Sequence, residues 1–104
     1  MKQIKIDKPW GYEIIWAHTE DYVGKLLHIT AGNRLSRQYH NQKEETIYVL
    51  KGTLYNYDKD GAITRLTPGQ IHRFAAVENN VEIMEVSTNH LDDVVRLEDD
   101  YQRE

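Results

Sequence analysis

Glu45-Thr46-Ile47-Tyr48-Val49-Leu50-Lys51-Gly52-Thr53-Leu54-Tyr55-Asn56-Tyr57-Asp58-Lys59-Asp60-Gly61-Ala62-Ile63-Thr64-Arg65-Leu66-Thr67-Pro68-Gly69 is the stretch whose reading decides the fold. Glu45–Lys51 is a β-branched and aromatic run that stops at Gly52, as a strand does. Leu54–Tyr57 and Ile63–Leu66 then flank Asp58-Lys59-Asp60-Gly61, and an Asp-Gly pair between two such runs signals a hairpin. Thr67-Pro68-Gly69 turns the chain once more. Three short strands and two turns leave no room for a helix.

Outward from this core the rhythm repeats. Lys2–Ile6, Tyr12–Ala17, Val23–Thr30 and Arg34–Gln42 precede it, and Ile71–Ala76 and Val81–Val86 follow, each separated by turn-forming residues such as Ala31-Gly32-Asn33 and Asn79-Asn80. The tail from Leu91 predicts an extended segment with a short helical end, because Asn89, Asp92 and Asp93 suit a helix N-terminus. Nine Ile, seven Val, seven Thr and ten aromatics outnumber the 15 Ala, Leu and Met, which favours sheet. The 104 residues support one domain, residues 1–104, and nine or ten antiparallel strands of this length must close into a jelly roll or small barrel to hide their edges. A net charge of −4 argues against a nucleic-acid backbone as partner. No apolar run is long enough to span a membrane or act as a signal peptide, so the expected location is the cytoplasm. With no Cys, disulfides and thiolate metal sites are excluded, and any metal must be held by His, carboxylate or amide.

Four residues carry a ligand argument: His40, Gln42, Glu45 and His72. Side chains two apart on a strand share a face, which groups Ser36, Gln38, His40 and Gln42. For Gln42 and Glu45 to converge, the chain must bend near Lys43-Glu44. Two imidazoles, a carboxylate and an amide oxygen form an N/O set suited to Zn, Fe(II), Mn, Co or Ni. The same residues also read as half-buried hydrogen-bonding groups with no metal, and spacing alone leaves both readings open.

Gly32-Asn33-Arg34-Leu35-Ser36-Arg37-Gln38-Tyr39-His40-Asn41-Gln42-Lys43-Glu44-Glu45 with Gly52 resembles the first cupin motif, and Pro68-Gly69-Gln70-Ile71-His72 resembles the second; together they occupy about residues 32–52 and 67–79. Lys8-Pro9-Trp10-Gly11-Tyr12-Glu13, Leu35-Ser36 with Gln38 and His40, His72-Arg73, and Asp92-Asp93-Val94-Val95-Arg96-Leu97-Glu98-Asp99-Asp100-Tyr101 are similar to one subgroup, the C-terminal domain of type II mannose-6-phosphate isomerase/mannose-1-phosphate guanylyltransferase. The resemblance implies a cupin jelly-roll barrel, that is, a double-stranded β-helix. It also implies one divalent metal ion, zinc first and Mn, Fe, Co or Ni as alternatives, on His40, Gln42, Glu45 and His72. Gln42 stands where the pattern has a second His, and Lys43 where the subgroup has Arg.

The activity implied is aldose–ketose isomerisation of a sugar phosphate, without guanylyltransferase activity because the nucleotidyltransferase domain does not precede this cupin. Lys43 and Arg96 are the expected catalytic residues, Lys43 or Glu44 as proton shuttle (or His28, if it points inward) and Arg96 as phosphate fork. Ser36, Gln38 and Arg34 are expected to bind substrate, with Arg37 and Lys25 as further phosphate candidates and Trp10 or Trp16 available to stack on a sugar. Two other functions fit the same residues: a non-catalytic sugar or sugar-nucleotide binding or regulatory cupin, and an Fe- or Mn-dependent cupin oxygenase. A homodimer is expected through the first strand.

Overall fold

The computed structural model describes residues 3–55 and 61–103. Eight strands appear among them: β1 (Ile4–Lys8), β2 (Gly11–His18), β3 (Tyr22–Ile29), β4 (Arg37–Tyr39), β5 (Glu45–Lys51), β6 (Ile63–Leu66), β7 (Val81–Thr88) and β8 (Val95–Glu98). Lys2, the Asn56-Tyr57 end of the strand expected over 54–57, and the Asp58–Asp60 part of the hairpin turn lie outside the described residues. Every pairing is antiparallel: a six-stranded sheet ordered β1-β2-β3-β7-β5-β6 is faced by a short β4-β8 pair. No helix is present among the described residues, and none there is long and apolar enough to cross a membrane.

The expected strands over 34–42 and 71–76 do pair, but not as a regular ladder. Arg34 pairs with Ala75 and Gln38 with His72, so the register slips by one residue between the two bridges. Backbone bonds persist on both sides of the slip, from Leu35 N–H to Phe74 O at 2.9 Å and from His72 N–H to Gln38 O at 2.8 Å. A bulge of this kind bends the chain and re-aims side chains. Leu54 is likewise tied by a single bridge to Ala76. The helical end expected in the tail is absent. Residues 95–98 pair with β4 instead, and the Asp99 carboxylate accepts from the backbone N–H groups of Tyr101 and Arg103 to form a turn.

Inward-facing residues change character along each strand, and this places the site. On β7 they run Val81, Ile83, Glu85, Ser87; on β5, Val49, Ile47, Glu45; on β3, Ile29, Leu27, Lys25, Val23. The cross-strand register puts Ile29 beside Val81, Leu27 beside Ile83 and Lys25 beside Glu85. One end of the barrel is therefore a packed apolar core, and Trp10, Leu54, Leu66 and Phe74 belong to the same buried cluster. The other end is lined with charge.

Gly11 anchors the turn from β1 into β2. Its φ is +151°, and a Cβ there would lie 1.9 Å from the His28 carbonyl oxygen, while the adjacent Trp10 carbonyl accepts bonds from the Thr30 backbone and hydroxyl. Gly11→Ala is expected to destabilise the fold by at least about 2 kcal/mol through strain and overlap, measured by chemical denaturation; an unchanged midpoint would contradict this packing.

Candidate metal centre

His40, Glu45 and His72 converge from three segments of the chain. Their candidate ligand atoms all lie within 4.8 Å of one another, and all three side chains are buried. Glu45 opens β5 and its Oε1 lies 3.3 Å from His72 Nε2 and 3.8 Å from His40 Nε2. The imidazole rings are 5.1 Å apart between centroids. His40 directs Nδ1–H to the backbone carbonyl of Asp93, and His72 directs Nδ1–H to that of Gln70 at 3.1 Å. A carbonyl only accepts, so Nδ1 of each imidazole carries a proton and Nε2 is the ring nitrogen that faces Glu45. This second hydrogen bond is the one that orients metal-binding histidines. No hydrogen bond reaches Glu45 Oε1, although it is buried. A buried carboxylate oxygen facing two imidazole Nε2 atoms fits a divalent cation, and His, His and carboxylate form a donor set that zinc and its neighbours accept.

Electrostatics keep Glu45 ionised. Burial opposes ionisation of Glu45, but the His40 imidazole and the Lys43 ammonium override it and hold the carboxyl at about 2. Lys43 Nζ sits 3.0 Å from both Glu45 Oε2 and Glu85 Oε2. Burial works against the Lys43 charge too, yet the two carboxylates raise its pKa further above the ordinary lysine range, so it stays an ammonium. Burial and the neighbouring Glu45 charge push the Glu85 carboxyl upward, against the pull of Lys43 and Lys25. Burial also pushes the His72 imidazole down, which favours the neutral form that a ligand needs.

The centre opens on a cavity of about 120 Å³, room for roughly four water molecules at ~30 Å³ each. Ser36, Gln38, Lys43 and Arg96 all line it. Ser36 is fully buried and its Oγ has no hydrogen-bond partner. Gln38 pairs across the bulge with His72 and, on its other side, with Arg96 of β8.

Other candidates fall elsewhere. Gln42 is exposed and does not join the centre. It lies past the end of β4, in a turn where the Asp93 carboxylate gathers the backbone N–H groups of Asn41, Gln42 and Lys43 at 3.0, 2.6 and 2.9 Å. That turn points Lys43 inward and Gln42 outward, and the amide beside His40 on the wall is Gln38. Arg34 faces away from the cavity, in a two-pronged pair with Asp100 at 2.6 and 2.9 Å. Arg37 pairs outside with Glu98, Glu44 with Arg65, and His28 with Glu82 while stacking on Tyr12. Lys25 does line the cavity, bonded to Glu13 at 3.2 Å. Trp10 is buried at the cavity floor and Trp16 is exposed over Gly24.

The sequence reading passed over Glu13, Glu85 and Asp93. A charge standing in the apolar register of a strand marks the first two, Glu13 in step with Ile15 and Glu85 with Ile83. Nothing local marks Asp93, whose partners are about fifty residues away.

Solved structures share this architecture. KdgF from Halomonas sp. superposes with a TM-score of 0.72 at 18% identity, over 84% of this chain and 88% of that one. A conserved protein with a double-stranded β-helix domain from Klebsiella pneumoniae subsp. pneumoniae MGH 78578 gives 0.68 at 20% identity, over 81% and 76%. The capsular polysaccharide assembling protein CapF from Staphylococcus aureus gives 0.80 at 15% identity, over 93% of this chain but only 34% of CapF. These superpositions show the fold, a double-stranded β-helix. No family model and no curated protein matches the chain.

The Asp93 carboxyl is held down at about 2 by the backbone N–H groups of Asn41 and Gln42, with Lys43 adding to them, so its stabilisation is complete above about pH 4 and is lost as pH falls through 2. Asp93→Asn is expected to lower thermal stability at pH 7 and to weaken metal binding roughly tenfold by loosening His40. The stability gap to the wild type should close near pH 2; a gap unchanged by pH would remove the carboxylate from this role.

Proposed function

We propose that this chain is a metal-binding cupin that interconverts the aldose and ketose forms of a sugar phosphate of the mannose-6-phosphate type. One observation carries the reading: two imidazoles whose Nδ1–H groups are tied to carbonyls present Nε2 to a buried carboxylate oxygen that lacks a hydrogen bond. His40, Glu45 and His72 hold one divalent ion, zinc first, and the Gln38 side-chain oxygen is the fourth donor in place of Gln42. The ion supplies a Lewis acid that stabilises negative charge on the sugar oxygens as the carbonyl moves between C1 and C2.

The chain's own residues do the rest. Lys43, held as an ammonium between Glu45 and Glu85, is a fixed positive charge on the wall and not a base. Glu13 lines the same cavity between Lys8 at 3.5 Å and Lys25 at 3.2 Å; it takes the base role that Lys43, Glu44 and His28 do not fill. Ser36 Oγ offers a hydrogen bond to a sugar hydroxyl, and Arg96 on β8 receives the phosphate. The reading includes a homodimer, supported by the exposed Trp16, Tyr48, Ile63 and Val86 on the sheet and by the open edge of β1.

One feature favours a second reading, a non-catalytic sugar-binding cupin. Glu13, Glu45 and Glu85 are each already engaged by a lysine, which suits holding a ligand better than moving its protons.

Protein purified without tag or chelator is expected to carry about one equivalent of metal per chain and to turn over mannose-6-phosphate, with both lost in His72→Ala. Bound metal without turnover would favour the binding cupin, and oxygen uptake with Fe(II) would replace both with an oxygenase. Light scattering should give twice the chain mass; a monomer would end the dimer proposal.

A further inference from the structure

Charge on the cavity wall alternates in sign along a row of two ion-paired groups that meet across β3 and β7. Lys8 pairs with Glu13 at 3.5 Å, and Glu13 with Lys25 at 3.2 Å. Lys25 on β3 stands directly opposite Glu85 on β7, a position in which cross-strand side chains interact. Glu85 and Glu45 then share Lys43 at 3.0 Å each. All six line the cavity, and every one after Lys8 is buried. Three ammonium groups face three carboxylates, so the row is neutral before any ligand arrives. In the rest of the lining Arg96 is matched in number by Asp93, and Arg103 is paired at 2.8 Å with Asp99, which stands outside the lining.

A metal-binding wall of this composition has a consequence. The one carboxylate at the centre is already paired with Lys43 at 3.0 Å, so it is not free to cancel an ion's charge. A divalent ion on His40, Glu45 and His72 would add two positive charges to a buried row that is already balanced, where uncompensated charge is costly. Protonating Glu85 would only enlarge the excess.

We propose that the cavity binds its divalent ion and a small anionic, oxygen-donor ligand cooperatively, each strengthening the other, because the alternating row leaves the ion's charge for the ligand to cancel. This rests on the metal reading above and extends it: the ligand must carry negative charge into the cavity itself and not only at its mouth. Lys43 is the positioning residue of this coupling, and Glu85 sets how strongly Lys43 opposes the ion.

Zinc affinity of the intact protein, read by competition with a fluorescent chelator, tests the proposal with malonate as the anionic probe and glycerol as the neutral one. After allowance for zinc held by malonate in solution, malonate is expected to tighten zinc binding at least about fivefold, within the usual range of coupling between two sites. Glycerol is expected to leave it unchanged. Two variants move the wall charge in opposite directions. Lys43→Met should bind zinc more tightly alone and respond less to malonate, whereas Glu85→Gln should bind it more weakly alone and respond more. Zinc affinity indifferent to malonate in the wild type would overturn the coupling and leave the metal reading standing. No zinc binding under any condition would overturn both.

Discussion

Lys43 between Glu45 and Glu85 is the interaction on which the charged half of this barrel depends. Removing a charge from water costs several kcal/mol per ion, and mutual attraction offsets that only when the geometry is tight. Two contacts at 3.0 Å supply that geometry. Glu45 therefore stays ionised in the interior, and Lys43 stays an ammonium. Apolar residues of the same volume often serve a fold as well or better, so stability alone does not account for the cluster. The apolar half, from Ile83 and Leu27 to Val81 and Ile29, supplies the rigid floor against which the cluster is held.

The second constraint is the path of the C-terminal segment. Asp93 touches the centre twice, its carbonyl taking the His40 Nδ1–H and its carboxylate gathering three backbone N–H groups of the turn that follows His40. β8 then pairs with β4, and Asp100 ties Arg34 and Arg73 together outside. A segment distant in sequence thus fixes both the direction of His40 and the inward turn of Lys43. Orientation of the ligands is built from tertiary contacts, not from the strand that carries them.

These two constraints explain what the sequence could and could not reveal. Strand identity was legible for Glu45–Lys51, Ile63–Leu66 and Val81–Val86, because apolar alternation and turn residues act locally. His40, Glu45 and His72 were singled out together with Gln42 by residue type and spacing, which left a metal site and ordinary hydrogen-bonding groups both open, and the motif resemblance then tied them together. Gln42 was misplaced because the period-two rule was carried beyond Tyr39, where β4 ends; the turn that ends it is held by Asp93 from across the fold. Arg34 looked like a phosphate ligand until Asp100 claimed it. The expected strands at 34–42 and 71–76 were shortened by a register slip that no local pattern encodes. The helical tail failed for a related reason, since Asp92 and Asp93 suit a helix start but pairing with β4 competes for the same backbone. Inward charges at Glu13, Lys25 and Glu85 were visible in the strand register, and a period-two reading that follows charged as well as apolar residues finds them.

X-ray absorption at the zinc edge of the zinc-loaded protein tests the central claim most directly, because it reads the donor atoms without reference to activity. The expected spectrum shows two imidazoles together with oxygen donors at about 2.0–2.1 Å, and one imidazole fewer in His72→Ala. A shell of oxygen alone, or a single imidazole unaffected by that substitution, would contradict a centre built on His40, Glu45 and His72.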